Sequence, residues 1–135
     1  MPLTLEQAEK IVEGAIAKAR EMNVNIGISV VDAGGHLVAF SRMSGAGIIT
    51  VDMSRDKAFT SVAFRADTLT LSQRLGQNAF FASGPEVGGG RLVLLGGGVP
   101  VVQGNELLGA VGVGGATPEQ DADCAKAGIA AAGLG

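Results

Sequence analysis

Glycine placement constrains this chain more than any other feature. Twelve of its 22 glycines fall between Gly84 and Gly115, interleaved with the apolar runs "RLVLLGGG", "VPVVQG" and "LLGAVGVGG". Each glycine inside a helix costs about 1 kcal/mol relative to alanine, so this quarter of the chain resists helix. A flexible linker would lack the interleaved Val and Leu. The pattern therefore predicts three short strands, with tight turns and close backbone approach where side chains are missing.

The preceding residues supply two more strands and the helices. Residues 26–32, "IGISVVD", alternate large and small residues as a strand does, and residues 36–43 read as its hairpin partner. Between them Asp32 is placed to accept from turn amides, and Gly34 and Gly35 tolerate positive φ. A helix over residues 5–22 starts at a Thr4–Gln7 capping box and carries Ala8, Ile11, Val12, Ala15, Ile16 and Ala19 on one face. A second helix spans about residues 50–66, with Ala58, Phe59, Val62 and Ala63 as its apolar stripe. Thr70 with Gln73 caps a short third helix reaching Leu75, and residues 77–90 read as irregular. The last helix opens at "TPEQ", where Thr117 is the cap, Pro118 the first helical residue and Gln120 closes the box. Tight hairpins make the strands antiparallel. The expected fold class is α+β in two layers, with helices over one face of the sheet.

Composition excludes several functions. The chain has 135 residues, the size of one domain spanning residues 1–135, and a net charge of −3. No basic run longer than a dipeptide occurs, and Trp and Tyr are absent, so a nucleic-acid partner is not expected. No apolar stretch approaches the length of a membrane span, and no leader-like segment opens the sequence. The expected setting is cytoplasmic, without a membrane partner. One cysteine, Cys124, precludes an internal disulfide and reads as a small buried hydrophobe.

Four stretches together resemble a known family. They are "VVDAGGHLVAFSRMSGA", "RDKAFTS", "GGGVPVV" and "GAVGVGGATPEQDADCAKAG". In order and spacing they are similar to the GlcG/HbpS-like heme-binding family, which includes the C-terminal domain of PduO-type corrinoid adenosyltransferases. The resemblance runs from about Thr4 to Ala132. It implies a profilin-like, five-stranded antiparallel sheet flanked by helices, assembled as a homo-oligomer, dimer or larger. It also implies heme as the possible cofactor, or else none, in a companion protein of small-molecule catabolism. Where the PduO-type domain ligates heme with a first-helix histidine, residues 5–22 here hold none.

Candidate site residues follow from residue type. His36, the only histidine, is the candidate metal or heme ligand, though it also suits a strand start with its ring in solvent. Period-two counting puts it on one strand face with Val38, Phe40 and Arg42, a face suited to a flat apolar ligand with acidic arms. Arg42 and Lys57 are candidate clamps for carboxylates or propionates. Gly114 and Gly115 lead from a strand into a capped helix, where free amides suit an anion. Glu86 and Asp121, with His36, are the candidate proton-transfer groups. Met43 and Met53 suit either soft axial ligation or gap-filling, and Glu6 with Glu9 form an i, i+3 acidic pair on the first helix. No zinc spacing, phosphate loop or nucleophile elbow is present.

Beside an accessory or structural subunit whose oligomer surface is its function, two functions stand at this point. One is a small-ligand-binding protein for heme or a related tetrapyrrole. The other is a cofactor-free isomerase, tautomerase or lyase for a small organic acid, with Arg42 or Lys57 holding the anion.

Overall fold

The computed structural model describes residues 2–75, 86 and 88–135. Helix α1 (Leu5–Glu21) leads into β1 (Gly27–Asp32) and β2 (Leu37–Arg42), followed by α2 (Ile49–Phe64) and α3 (Thr68–Leu75). Strands β3 (Gly98–Gln103) and β4 (Glu106–Gly114) and helix α4 (Pro118–Ala131) complete the order. The sheet runs β2-β1-β4-β3 and is antiparallel throughout. Most of the stretch expected to be irregular, residues 77–85 and 87, lies outside the described residues.

Local chemistry accounts for the element boundaries. Both capping boxes form: Thr4 with Gln7 opens α1, and Thr117 with Gln120 opens α4. The β1–β2 turn is pinned by Asp32, whose Oδ1 accepts from the amides of Gly34 (2.9 Å) and His36 (3.0 Å). Only Gly35 takes a positive φ there, +83°; Gly34 does not. Helix α3 begins two residues before Thr70, because Asp67 receives the Thr70 amide at 2.8 Å and does the capping expected of Thr70.

The sheet has four strands among the described residues, not five. Residues 91–95, read from sequence as a strand, are tied to α2 instead. The Val93 amide donates to Thr60 Oγ1 (2.9 Å), that hydroxyl reaches the Arg91 carbonyl (3.2 Å), and the Arg91 guanidinium stacks 3.6 Å above the Phe59 ring. Apolar composition made this segment look like a strand, but its Val93 amide and Arg91 carbonyl bond to a helix side chain.

Helices cover both faces, so the domain has three layers rather than two. Ile28, Val30, Val111 and Val113 point to one face and form the main core with Ile11, Ala15, Cys124, Ala125 and Ile129 of α1 and α4. The alternate residues, Gly27, Ser29, Val31, Ala110, Gly112 and Gly114, face α2. Apart from Val31 this second face carries only small side chains or none, which lets α2 lie with its backbone against the sheet. A Cβ at Gly112 would fall on the Ser54 carbonyl oxygen.

That contact also corrects the stripe expected on α2. The helix buries Thr50, Ser54, Lys57, Ala58, Thr60 and Ser61, whereas Ala63 is exposed and Phe59 and Val62 are half-buried. Small hydroxyls suit so close an interface because each finds a partner there. Ser54 Oγ meets Ser29 Oγ at 2.7 Å, and Thr50 Oγ1 donates to the Gly47 carbonyl at 2.7 Å.

Gly112→Ala is expected to destabilise the fold by about 2–4 kcal/mol, since the backbone of α2 must move to admit one methyl group. Gly104→Ala, at φ +62° with nothing nearby, should cost only about 1 kcal/mol. Urea denaturation of the two variants checks the contrast.

Candidate functional site

Two concave features gather the candidate residues, one on each side of the sheet. The first is a groove where α1 crosses the β2 edge. Its upper part, about 560 Å³, is lined by Leu5, Val12, Val38, Ala39 and Phe40, with Glu9 and Glu13 on the helix side. It meets a second hollow of about 520 Å³ at Ser41, lined by Ile16, Arg20, Arg42 and Met43. Along β2 the stretch from Val38 to Arg42 covers about 13 Å. The groove thus mixes apolar side chains with the Glu9 and Glu13 carboxylates at one end and is cationic at the other. Leu5 and Phe40 are 53% and 37% exposed, large apolar side chains left open to solvent.

Arg20 was not among the sequence candidates, although it completes the cationic end. Sequence shows it only as one more charge on the outer face of α1. Nothing in the primary structure says that the last turn of α1 arrives beside Arg42. Arg42 itself is held in place, with Nη1 donating to the Ala46 carbonyl at 2.6 Å.

His36 does not reach the groove walls. Its side chain is 81% exposed, and Nδ1 lies 3.1 Å from Asp32 Oδ1. The ring closes a network around the Asp32 carboxylate. Slight burial works against that carboxylate, but the amides of His36 and Gly34 and the imidazole outweigh it and hold its pKa below the ordinary value. Met43 Sδ accepts from the Ile26 amide at 3.4 Å, which occupies one sulfur lone pair. Glu6 and Glu9 are both exposed on α1. Among the described residues no three His, Cys, Asp or Glu side chains come together around a metal-sized space.

The second feature brings together Lys57, Gly114, Gly115 and Asp121. They line a cleft of about 230 Å³ with Ile49, Met53, Leu95 and Pro118. At its floor Lys57 Nζ donates to Asp121 Oδ2 (3.1 Å) and to the Val113 carbonyl (3.0 Å). Asp121 Oδ1 accepts from the Ala116 amide at 3.0 Å. The two side chains are 3% and 2% exposed. Burial pushes the Asp121 carboxyl above its usual range, against the opposing pull of the Lys57 ammonium and the Ala116 amide. Lys57 and Arg42 therefore serve different places and do not clamp one ligand between them. Glu86 is exposed and lines neither feature. Cys124 lies in the main core, where burial, with Asp121 and Asp123 beside it, pushes its thiol up to about 11. It stays protonated and unreactive at neutral pH.

Lys57→Met leaves the Asp121 carboxylate buried without its cation, and should cost about 3–5 kcal/mol. The double variant Lys57→Met/Asp121→Leu should recover most of that loss, because an apolar pair of similar volume removes the unpaired charge. Thermal and urea unfolding of the single and double variants give the comparison.

Comparison with known proteins agrees with this architecture. The family model described as "Haem degrading protein HbpS-like" matches residues 3–130. Protein GlcG of Escherichia coli K12 is 38% identical over 113 residues, 82% of this chain and 80% of GlcG. The corrinoid adenosyltransferase PduO of Citrobacter freundii is 31% identical over 131 residues, 97% of this chain but only 39% of that enzyme's length. The solved structure described as a PduOC:heme complex superposes with a TM-score of 0.91 at 29% identity, covering 100% of this chain and 98% of that one. The chain belongs to the GlcG/HbpS-like family.

Proposed function

We propose that this protein binds heme or a related tetrapyrrole in the groove between α1 and β2, within a homo-oligomer in the cytoplasm. The observation that carries the reading is the polarity of that groove. Leu5, Val12 and Val38 offer a macrocycle an apolar wall beside the Glu9 and Glu13 carboxylates, with Phe40 at the edge, and Arg20 and Arg42 stand at the other end to meet its carboxylate arms. A similar chain bound to heme in its solved complex supports the choice of ligand.

The donor set fits heme through its surface and its acid groups, and no imidazole lines the groove. Heme would supply the iron chemistry when bound. The chain's own residues would exclude water from the ring with Leu5 and Phe40, and orient it with the two guanidinium groups. A second copy of the chain is the natural roof. Among the described residues strand β2 is an edge strand, and Leu5, Leu37 and Phe40 expose apolar surface nearby.

Hemin titration followed by Soret absorbance tests this. Wild-type protein is expected to shift and sharpen the band at micromolar hemin. Arg20→Gln/Arg42→Gln should weaken binding roughly tenfold to a hundredfold, the loss of one or two charge-assisted hydrogen bonds. Phe40→Asp should abolish binding, and His36→Ala should change it by no more than about twofold. An unchanged Soret band with wild type, or a loss confined to His36→Ala, would sink the proposal.

A further inference from the structure

The outer strands of the sheet, β2 and β3 among the described residues, are built differently. Strand β3 carries Pro100 at its middle, opposite Ala110, and proline has no amide to offer an added strand. Strand β2 has no proline. Its register against β1 slips at Val38, which leaves residues 39–43 as the regular stretch. Ala39 and Ser41 stand opposite Val30 and Ile28, and the Met43 amide donates to the Ile26 carbonyl at 2.9 Å. Alternation along an antiparallel ladder then turns the N–H and C=O of Phe40 and Arg42 away from β1.

Charge along this edge is polarised. Helix α1 and β2 run the same way past the groove, with Glu9 and Glu13 beside Val38 and Ala39, and Arg20 beside Arg42 and Met43. Glu9 and Arg20 are about 16 Å apart along the helix. Ser41 is the midpoint of residues 39–43 and also the residue that the two hollows share. A two-fold axis through Ser41, normal to the sheet, therefore exchanges the acidic and cationic ends. Arg20 then comes to the side of the partner's Glu9, whereas a parallel arrangement would set like charges together. The same axis sets Phe40, 37% exposed, beside the partner's Arg42, whose stem can cover the ring.

We infer that two copies of this chain join through β2, antiparallel about Ser41, into one continuous sheet. Phe40 faces the partner's Arg42, Arg42 faces the partner's Phe40, and each pair exchanges both backbone hydrogen bonds. The joined edges bring the two grooves together along the seam, so that each copy supplies part of the other's wall. The inference rests on the homo-oligomer named above and gives it a geometry, and it needs no bound heme.

Ser41→Cys tests the register. Directly opposed residues of a non-hydrogen-bonded pair have Cα atoms about 4.5 Å apart, within reach of a disulfide. Mild oxidation without hemin should convert most of this variant to a linked pair, read by non-reducing electrophoresis. Leu37→Cys should stay unlinked: Leu37 is 52% exposed, but lies about 25 Å from the partner's Leu37 in this register. Cys124 is buried and gives no link in wild type. Phe40→Pro deletes an outward amide and leaves the β1–β2 ladder intact, so it should halve the particle mass in sedimentation while unfolding stays cooperative. The inference is overturned by an unlinked Ser41→Cys, by Leu37→Cys linking as fast, or by an unchanged mass for Phe40→Pro. A failed hemin titration leaves the pair standing, and a wild-type monomer that still shifts the Soret band overturns the pair alone.

Discussion

The close seating of α2 on the sheet is the contact on which the other features depend. Gly27, Ser29, Gly112 and Gly114 leave that face nearly bare, and the helix answers with Thr50, Ser54, Ala58 and Ser61. Two backbones brought this near gain dispersion contacts that larger side chains would prevent, and they lose the tolerance for added volume that an ordinary helix–sheet interface has. The face cannot drive folding by burying large hydrophobes. That is left to the other side, where Ile11, Ile28, Val30, Val111 and Val113 form the main core.

From this seating follows the reach of Lys57. A lysine in the middle of a helix ordinarily extends to solvent, because its charge is costly to bury. Here the helix lies so near the sheet that the ammonium passes the end of β4 and finds the Val113 carbonyl and Asp121. Asp121 is fixed in turn by the capping of α4: its own amide bonds to Thr117, and its side chain reaches back to Ala116. One ion pair thereby links α2, β4 and α4. A charge on the middle helix and a carboxylate in the first turn of the last one act as a single neutral unit.

The two faces divide the chemistry between them. On the core side, α1 crosses the β2 edge without closing over it, and the open groove grades from Leu5 and Phe40 to Arg20 and Arg42. On the glycine side, the first turns of α2 and α4 leave the smaller cleft above the ion pair. The histidine that drew notice by residue type belongs to neither. It completes the Asp32 network that shapes the β1–β2 turn.

Sequence alone determined whatever depends on neighbours along the chain. Both capping boxes, the Asp32 turn, the β1–β2 and β3–β4 hairpins and the family motifs could be read there, since each rests on residues a few positions apart. It misjudged residues 91–95, because apolar content does not reveal that Thr60 takes the backbone groups a strand would need. It placed the stripe of α2 on Ala58, Phe59, Val62 and Ala63, of which only Ala58 is buried, because a helix facing glycines buries its small polar residues and periodicity of hydrophobicity cannot detect that. Tertiary structure decided that the helices cover both faces and that Arg20 joins Arg42. It also decided that Lys57 pairs with Asp121, 64 residues away in the chain. These outcomes turn on how closely layers approach and which ends meet, and no local pattern encodes a distance between residues so far apart in sequence.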